Sequence, residues 1–294
     1  MHDYVLSCES TVDLTKEHLT RRHIAYICYP YELDGIPYRD DFGQSVSYGD
    51  FYRAMEKGAD TKTAQINAYE FEAYFEPFVK AGLDVVHLCL SSGITGVMNS
   101  ALAARDTLQE RYPDRHIYVV DSLAASSGFG LLVDRLADLR DEGMGAEALA
   151  RWAEENRLRV HHWFFSEDLK YYIRGGRISR TAGMVGTMLG ICPLLNVSWD
   201  GRLVPREKIR SKKRAVSAIV DKMALYADGR EQYAGRCHLS YSGGPDTAML
   251  VKQQLEQRFP NLHSLEMYHI GTIIGSHSGP GTVALFFWGD ARTE

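Results

Sequence analysis

Two hydroxyl side chains, Ser91 and Ser92, stand directly before Gly93, between a short apolar run and a stretch with helical spacing. A strand, a Ser/Gly turn and a helix in this order place free backbone N–H groups beside both hydroxyls at the helix N-terminus. This arrangement favours a small anion, either phosphate or carboxylate. A capped turn without a ligand is the alternative, since every helix start has spare N–H donors.

A second polar group stands in the glycine-rich stretch 270–281, where His277 lies between Ser276 and Ser278. We interpret this stretch as a loop in which the histidine hydrogen-bonds a ligand. A structural histidine that ties the loop down is the alternative. Ser92 and His277 could also belong to a Ser–His hydrolase, but the sequence lacks the GxSxG elbow and a third member at known spacing.

Arginines flank a glycine pair at Arg174 and Arg177, and a basic cluster follows at 202–214. The flanking arginines could bind an anion or the carboxylates of another protein, and the cluster could dock an acidic partner. Solvated side chains are the default interpretation of both groups. RNA ranks below an acidic partner, because no aromatic-rich platform for single strands accompanies the charges.

Strands and helices alternate on both sides of the Ser-Ser-Gly turn. We interpret residues 61–65, which precede this region, as a polar link. Residues 85–90 form an apolar run that only His87 interrupts, which is typical of a strand covered on both faces. The next helix places these side chains on one face: Val97, Ala101, Ala104 and Leu108. Residues 117–120 begin a second such unit, so we expect a parallel sheet with right-handed crossovers. Three serines would gather at the carboxyl ends of its strands, where ligands bind: Ser10, Ser92 and Ser122.

The pattern changes after a helix at 146–157. Asp200-Gly201 is a strong hairpin signal between two strand-like runs. We expect an α+β half with a largely antiparallel sheet, which makes the fold class α/β with two domains, 1–157 and 158–294, and the ligand between them. The elements expected in the second half are strands 160–165, 191–197, 202–209, 238–241, 265–268 and 282–288 and helices 166–172, 182–189, 215–227 and 246–259.

Composition is that of an ordinary soluble protein: 294 residues, 45% hydrophobic and 24% charged. The net charge of −5 argues against a general nucleic-acid binder. No secretory signal and no apolar segment of bilayer length is recognisable, so we expect a cytoplasmic protein without stable membrane insertion, and transient membrane contact stays open. The cysteines lack metal-like spacing and suit a reducing compartment: Cys8, Cys28, Cys89, Cys192 and Cys237.

Six motifs, taken in order over nearly the whole chain, resemble those of the DegV family, the fatty-acid-binding proteins that serve bacterial fatty acid kinase. They are ESTVDL at 9–14, TAQIN at 63–67, SSGITG at 91–96, DS with SGFG at 121–130, DLKY with RGGRIS at 168–179, and IGTIIGSHSGPG at 270–281. Several positions depart from the family pattern, among them Glu9 in place of aspartate, Ala64 of serine, Ile66 of proline and Ser278 of threonine.

The resemblance implies a carrier that sheathes one long-chain fatty acid, not an enzyme, with no catalytic residue, no metal and no cofactor. A partner kinase would phosphorylate the exposed carboxylate from ATP, giving an acyl phosphate for phospholipid synthesis. These groups would hold the carboxylate: Thr63, Ser91, Ser92, the N–H groups near Gly93, and His277. The wall of the acyl tunnel would include residues of 182–189: Met184, Met188 and Leu189. Three arginines would face the kinase: Arg174, Arg177 and Arg202.

Two other classes of function stay open. One is a small-molecule hydrolase or phosphotransferase that uses the same Ser/Thr/His cleft. The other is a regulatory ligand sensor whose partner is not a kinase. Activity of the isolated chain separates an enzyme from a carrier, because the carrier has none without its kinase.

Overall fold

The computed structural model describes residues 3–179 and 191–293, in which strands and helices alternate along the first half. The helices are α1 (Lys16–Arg21), α2 (Tyr48–Glu56), α3 (Ala68–Lys80), α4 (Val97–Arg111), α5 (Ser126–Asp141), α6 (Ala146–Asn156), α7 (Lys170–Arg174), α8 (Lys212–Tyr226), α9 (Asp246–Arg258) and α10 (Thr272–Ser278). The strands are β1 (Tyr4–Glu9), β2 (Ala25–Ile27), β3 (Pro30–Leu33), β4 (Ile36–Arg39), β5 (Thr61–Thr63), β6 (Asp84–Cys89), β7 (Ile117–Asp121), β8 (Val160–Phe165), β9 (Ile191–Val197), β10 (Leu203–Arg210), β11 (Arg236–Tyr241), β12 (Ser264–His269) and β13 (Val283–Trp288).

The first sheet has the order β2-β1-β6-β7, and all of its strand pairs are parallel, as predicted. Side chains of β6 alternate between two cores: Val86 and Leu88 face α5, whereas Val85 and Cys89 face α3 and α4. The predicted inner face of α4 is confirmed, since all four of its residues are buried: Val97, Ala101, Ala104 and Leu108.

The second sheet has the order β10-β9-β8-β13-β11-β12. All of its pairs are antiparallel except β11 with β12, so the predicted fold class is confirmed. Asp200 and Gly201 lie in the turn of the β9–β10 hairpin, as expected, and Gly201 has φ +76°, which favours glycine.

Three short strands form a third sheet with the order β4-β3-β5. The β3–β4 turn has positive φ at both Asp34 and Gly35, as its sequence predicts. The interpretation of 61–65 as a polar link is corrected, because Thr61 and Thr63 pair antiparallel with Leu33 and Tyr31. Pairing with β3 fixes the position of β5, which lies beside α10.

Helix α5 lies between the two large sheets, and its apolar side chains join one core with residues of both. Gly128 permits this close packing, since an added Cβ would lie 2.4 Å from atoms of His162 and Phe286 in the second sheet. Helices α8 and α9 cover the far side of the second sheet, and α2, α3 and α4 cover the far side of the first.

Two further predicted segments differ from the structure. The helix expected at 166–172 is α7, which starts later because Asp168 Oδ1 accepts the Lys170 N–H (2.8 Å). The stretch 270–281 is a loop only at its ends, since its centre is α10. Three predicted tunnel residues, Met184, Met188 and Leu189, lie outside the described residues. Among the helices of residues 3–179 and 191–293, none combines the length and the apolar character needed to cross a bilayer.

Candidate ligand-binding site

A cavity of about 560 Å³ lies between the two large sheets, next to β5 and α10. The side chains that the second sheet contributes are mostly apolar: Phe164, Val197, Leu203, Ala284 and Phe286. Polar side chains come from β5, the turn before α4, the segment after α7, and α10: Thr63, Thr95, Arg177, Ser276 and His277. The cavity therefore combines an apolar wall with a polar one, as an amphiphilic ligand requires.

The centre of the polar wall is a hydrogen bond between Thr63 Oγ1 and His277 Nε2 (2.8 Å). The two residues are 214 positions apart in the chain and are brought together because β5 packs beside α10. On the other side of the ring, an added Cβ on Gly175 would lie 2.2 Å from His277 Nδ1. Gly175 has φ −77°, so this glycine is needed for space rather than for backbone conformation.

His277 is neutral at physiological pH. Burial lowers its pKa to about 4, and the positive charges of Arg177 and Arg174 act in the same direction. A neutral imidazole with Nε2 hydrogen-bonded to Thr63 can orient that hydroxyl without adding a charge.

Arg177 supplies a partly buried positive charge to the cavity wall. Its Nη1 donates to Gly175 O (2.6 Å), and its buried Nε has no hydrogen-bond partner among the described residues. Burial lowers the pKa of this guanidinium from its usual value, yet an arginine remains protonated at neutral pH. Arg177, predicted to face a partner, thus also faces the cavity.

The other two predicted docking arginines are exposed. Arg174 lies over the ring of Tyr171 (5.3 Å to its centre) and donates from Nη2 to Thr61 Oγ1 (3.2 Å). Arg202 follows the β9–β10 turn, and its nearest anion is Asp200 Oδ2 at 3.2 Å. Arg174 lines the cavity together with β5, whereas Arg202 does not line it.

Helix α10, which carries His277, is held at both ends. At its start, Thr272 Oγ1 donates to Asp40 Oδ1 (2.7 Å). The hydroxyl of Tyr52 donates to Ile270 O (2.7 Å), just before the helix. Beyond its end, Ser242 Oγ donates to Gly279 O (2.6 Å). These contacts fix the position of His277 through buried side chains of other elements.

The three residues of the predicted anion-binding turn, Ser91, Ser92 and Gly93, do not line the cavity. Ser91 Oγ donates to Gly201 O in the β9–β10 turn (2.8 Å) and accepts from the Gly93 N–H (3.2 Å). The Ser92 N–H donates to Asp121 Oδ1 (3.1 Å). An added Cβ on Gly93 would lie 2.5 Å from Asp200 O, so the turn is packed against the hairpin. The carboxylate-binding role of Ser91, Ser92 and Gly93 stays a prediction.

Thr95, four residues after Ser91, is a cavity residue that our sequence reasoning missed. Its side chain is buried and lines the cavity, and Oγ1 accepts from the Val97 N–H (3.4 Å). As an acceptor in that bond, the hydroxyl keeps its own proton for a ligand. The signal was present in the sequence, because SSGITG contains a third hydroxyl two residues before the helix.

In the described parts of the chain, metal-ligating side chains do not cluster in the lining of the cavity. Among residues 3–179 and 191–293, the group of three His, Cys, Asp or Glu side chains with converging ligand atoms lies outside the cavity lining. The polar wall therefore suits an organic anion held by hydroxyl, imidazole and guanidinium groups.

The fold and the cavity define an α/β protein whose two large sheets enclose a cavity with one polar and one apolar wall. The chain belongs to the DegV family, whose model matches residues 6–290. The resemblance inferred from the six motifs is therefore confirmed.

Three relatives show how far the similarity extends. A DegV domain-containing protein of Clostridium perfringens is 32% identical over 293 residues, covering 99% of each chain. The structure of a DegV family protein from Thermus thermophilus, described as fatty acid binding, has a TM-score of 0.87 at 27% identity and covers 99% of this chain and 100% of its own. The Streptococcus pneumoniae Fatty Acid Kinase (Fak) B3 protein loaded with linoleic acid has a TM-score of 0.84 at 20% identity, with 99% and 100% covered.

Proposed function

We propose that this chain is a carrier for one long-chain fatty acid, with the tail in the cavity and the carboxylate at the Thr63–His277 pair. The observation that carries the proposal is the cavity itself, in which a hydroxyl–imidazole pair stands opposite an apolar wall. The description of the Thermus thermophilus relative as fatty acid binding supports the same class of ligand.

The polar wall can hold a carboxylate through its hydroxyl groups. With hydrogen on Nε2, the neutral His277 ring donates to Thr63 Oγ1 and leaves the threonine proton free to donate to a ligand oxygen. Thr95 offers a second hydroxyl donor, and the positive charge of Arg177 favours an anion in the wall. We therefore propose Thr63, Thr95 and His277 as head-group residues, with Arg177 as the nearby cation.

The apolar wall can retain the tail without any covalent chemistry. Burial contributes about 0.8 kcal/mol per CH₂, so ten buried methylenes contribute roughly 8 kcal/mol. A free energy of this size corresponds to a dissociation constant of about 1 μM, before the head group adds its share. Retention by burial is what a carrier requires, and no catalytic step is assigned to the chain.

We further propose that a partner kinase phosphorylates the bound carboxylate from ATP, in the cytoplasm, to form an acyl phosphate. The name of the Streptococcus pneumoniae relative suggests such a partner, although at 20% identity that likeness concerns the fold alone. Exposed Arg174 and Arg202 are the proposed contacts with it.

The first experiment is mass spectrometry of the purified protein, native and then denatured. We expect one fatty acid per chain, released on denaturation. An empty protein that also takes up no added fatty acid would refute the carrier proposal, and turnover of a small substrate by the isolated chain would favour the hydrolase or phosphotransferase alternative.

A second experiment tests the head-group assignment by fatty-acid titration. Thr63→Val and His277→Ala should bind fatty acid about tenfold more weakly than the wild type, because each removes a group from the polar wall. Thr107→Val is the matched control, since Thr107 is exposed on α4. Ser92→Ala tests the original prediction for that turn, and unchanged affinity would remove Ser92 from the site.

A further inference from the structure

Three side chains outside the cavity converge on the face of the first sheet that α3 covers. Glu9 ends β1, and His87 and Cys89 alternate along the neighbouring strand β6, so all three point to the same side. Each is fully buried, and one ligand atom from each lies within 4.8 Å of the other two. Glu9 Oε1 and His87 Nε2 are 3.9 Å apart.

In both Glu9 and His87, one polar atom of the side chain is hydrogen-bonded and the second polar atom has no partner among the described residues. Glu9 Oε2 accepts from Tyr29 Oη (3.0 Å) and from the Leu90 N–H (2.9 Å), and His87 Nδ1 is hydrogen-bonded to Ser7 Oγ (2.9 Å). Glu9 Oε1 and His87 Nε2 are buried and have no hydrogen-bond partner within the described residues. Two such atoms aimed at one point need an explanation, because buried polar atoms are nearly always paired.

We propose that Glu9 Oε1, His87 Nε2 and Cys89 Sγ bind a divalent cation of the zinc type. Three atoms within 4.8 Å of one another lie no more than about 2.8 Å from a common point, so small side-chain shifts reach the 2.0–2.3 Å of zinc–ligand bonds. An oxygen, an imidazole nitrogen and a thiolate together suit zinc, whereas magnesium and calcium prefer oxygen alone.

The surroundings of His87 match those of a metal-binding histidine. With hydrogen on Nδ1, the ring donates to Ser7 Oγ and presents the Nε2 lone pair to the metal. Phe71 and Phe75 pack against the ring with centres 5.3 and 5.1 Å away, which keeps the position dry and the ring fixed. Binding displaces the Cys89 thiol proton to solvent, so affinity falls as the pH is lowered.

The site joins the carboxyl ends of β1 and β6 directly beneath the ligand cavity. Tyr29 and Leu90, whose groups donate to Glu9, both line that cavity. Cysteine spacing could not predict this site, because Glu9 comes from another strand. Two features of the sequence point to it: the histidine that interrupts the apolar run of β6 and the glutamate in the first motif. The proposal departs from the expectation of a chain without metal, and the experiment below decides between the two.

The test uses the full-length protein, treated with a chelator and then titrated with Co²⁺. We expect one Co²⁺ per chain and a thiolate-to-cobalt charge-transfer band. Cys89→Ser should lose that band, and His87→Ala should lower the Co²⁺ affinity at least tenfold. Cys237→Ser is the matched control, since Cys237 is equally buried on a strand of the second sheet and should leave both unchanged.

Either of two results overturns the proposal: wild-type protein that shows no charge-transfer band, or a band that persists in Cys89→Ser. If a variant does not fold, X-ray absorption of the zinc-loaded wild type decides, because one sulfur at about 2.3 Å supports the site and a shell of nitrogen and oxygen alone refutes it. The fatty-acid content is measured separately, so the two proposals fail independently.

Discussion

Replacing Gly175 by alanine tests whether the position of His277 governs ligand binding. The new Cβ would lie 2.2 Å from His277 Nδ1, whereas ordinary contacts are about 3.5 Å, so the ring has to move by roughly 1.3 Å. Backbone strain does not complicate the test, because Gly175 has φ −77° and alanine accepts this conformation readily.

A movement of this size breaks the 2.8 Å hydrogen bond between His277 and Thr63. Losing such a bond costs about 1 kcal/mol, and the Thr63 hydroxyl is no longer oriented towards the ligand. We expect the dissociation constant for a fatty acid to rise about five- to tenfold. Titration with a fluorescent fatty acid measures this, and circular dichroism checks that the variant is folded.

Gly244→Ala is the matched control, since an added Cβ there has no atom within 4 Å. Its affinity should equal that of the wild type. A folded Gly175→Ala protein with wild-type affinity, or an equal loss in Gly244→Ala, would show that the Thr63–His277 geometry does not determine binding.

Two further predictions concern stability. Folding lowers the pKa of His277 from 6.5 to about 4. Between these pH values the unfolded chain therefore binds a proton on this histidine that the folded chain does not bind. The contribution of His277 to the free energy of unfolding should fall by about 3 kcal/mol as the pH drops from 6.5 to 4. Denaturant unfolding at pH 7 and 4.5 should show a smaller decrease in His277→Gln, and an equal decrease would contradict this. Arg292→Met should lower the free energy of unfolding by about 3 kcal/mol, because the buried guanidinium donates to five backbone carbonyls: those of Leu123, Arg157, Leu158, Val197 and Ser198. Exposed Arg151→Met, which breaks only an ion pair with Glu147, should change it by less than about 0.5 kcal/mol, and equal effects would refute the argument.

Local patterns predicted the parts of the fold that form from neighbours in the chain. The buried face of α4 and the Asp200-Gly201 turn depend on short-range spacing and were therefore recognisable. Strand β5 was not, because Thr61–Thr63 has no strand pattern of its own and becomes a strand by pairing with β3.

Helix α10 was hidden by its composition. Glycine density in 270–281 indicates a loop, but Gly275 is a helical residue whose missing side chain admits the Tyr52 hydroxyl, which would lie 2.4 Å from an added Cβ. This glycine is required by a tertiary contact with Tyr52, which cannot be predicted from the residues next to it in the sequence.

The candidate site was predictable as a set of residue types, but not as a set of contacts. Thr63 was named through the family motifs and His277 through its glycine-rich stretch, but their hydrogen bond spans 214 positions. The Ser91 hydroxyl was assigned to a ligand because a strand-turn-helix unit leaves donors free, yet it donates to Gly201, which is 110 positions away. Thr95, four residues after Ser91, lines the cavity instead.

The clamping of α10 at both ends has a consequence for the carrier function proposed above. Because Asp40 and Ser242 hold the helix, we expect His277 to keep one position whether the cavity contains a short or a long tail. Under that proposal, every bound acid would offer its carboxylate at the same place and in the same orientation. A single kinase surface would then be sufficient for all of them, and tail preference could change in evolution without a matching change in the partner.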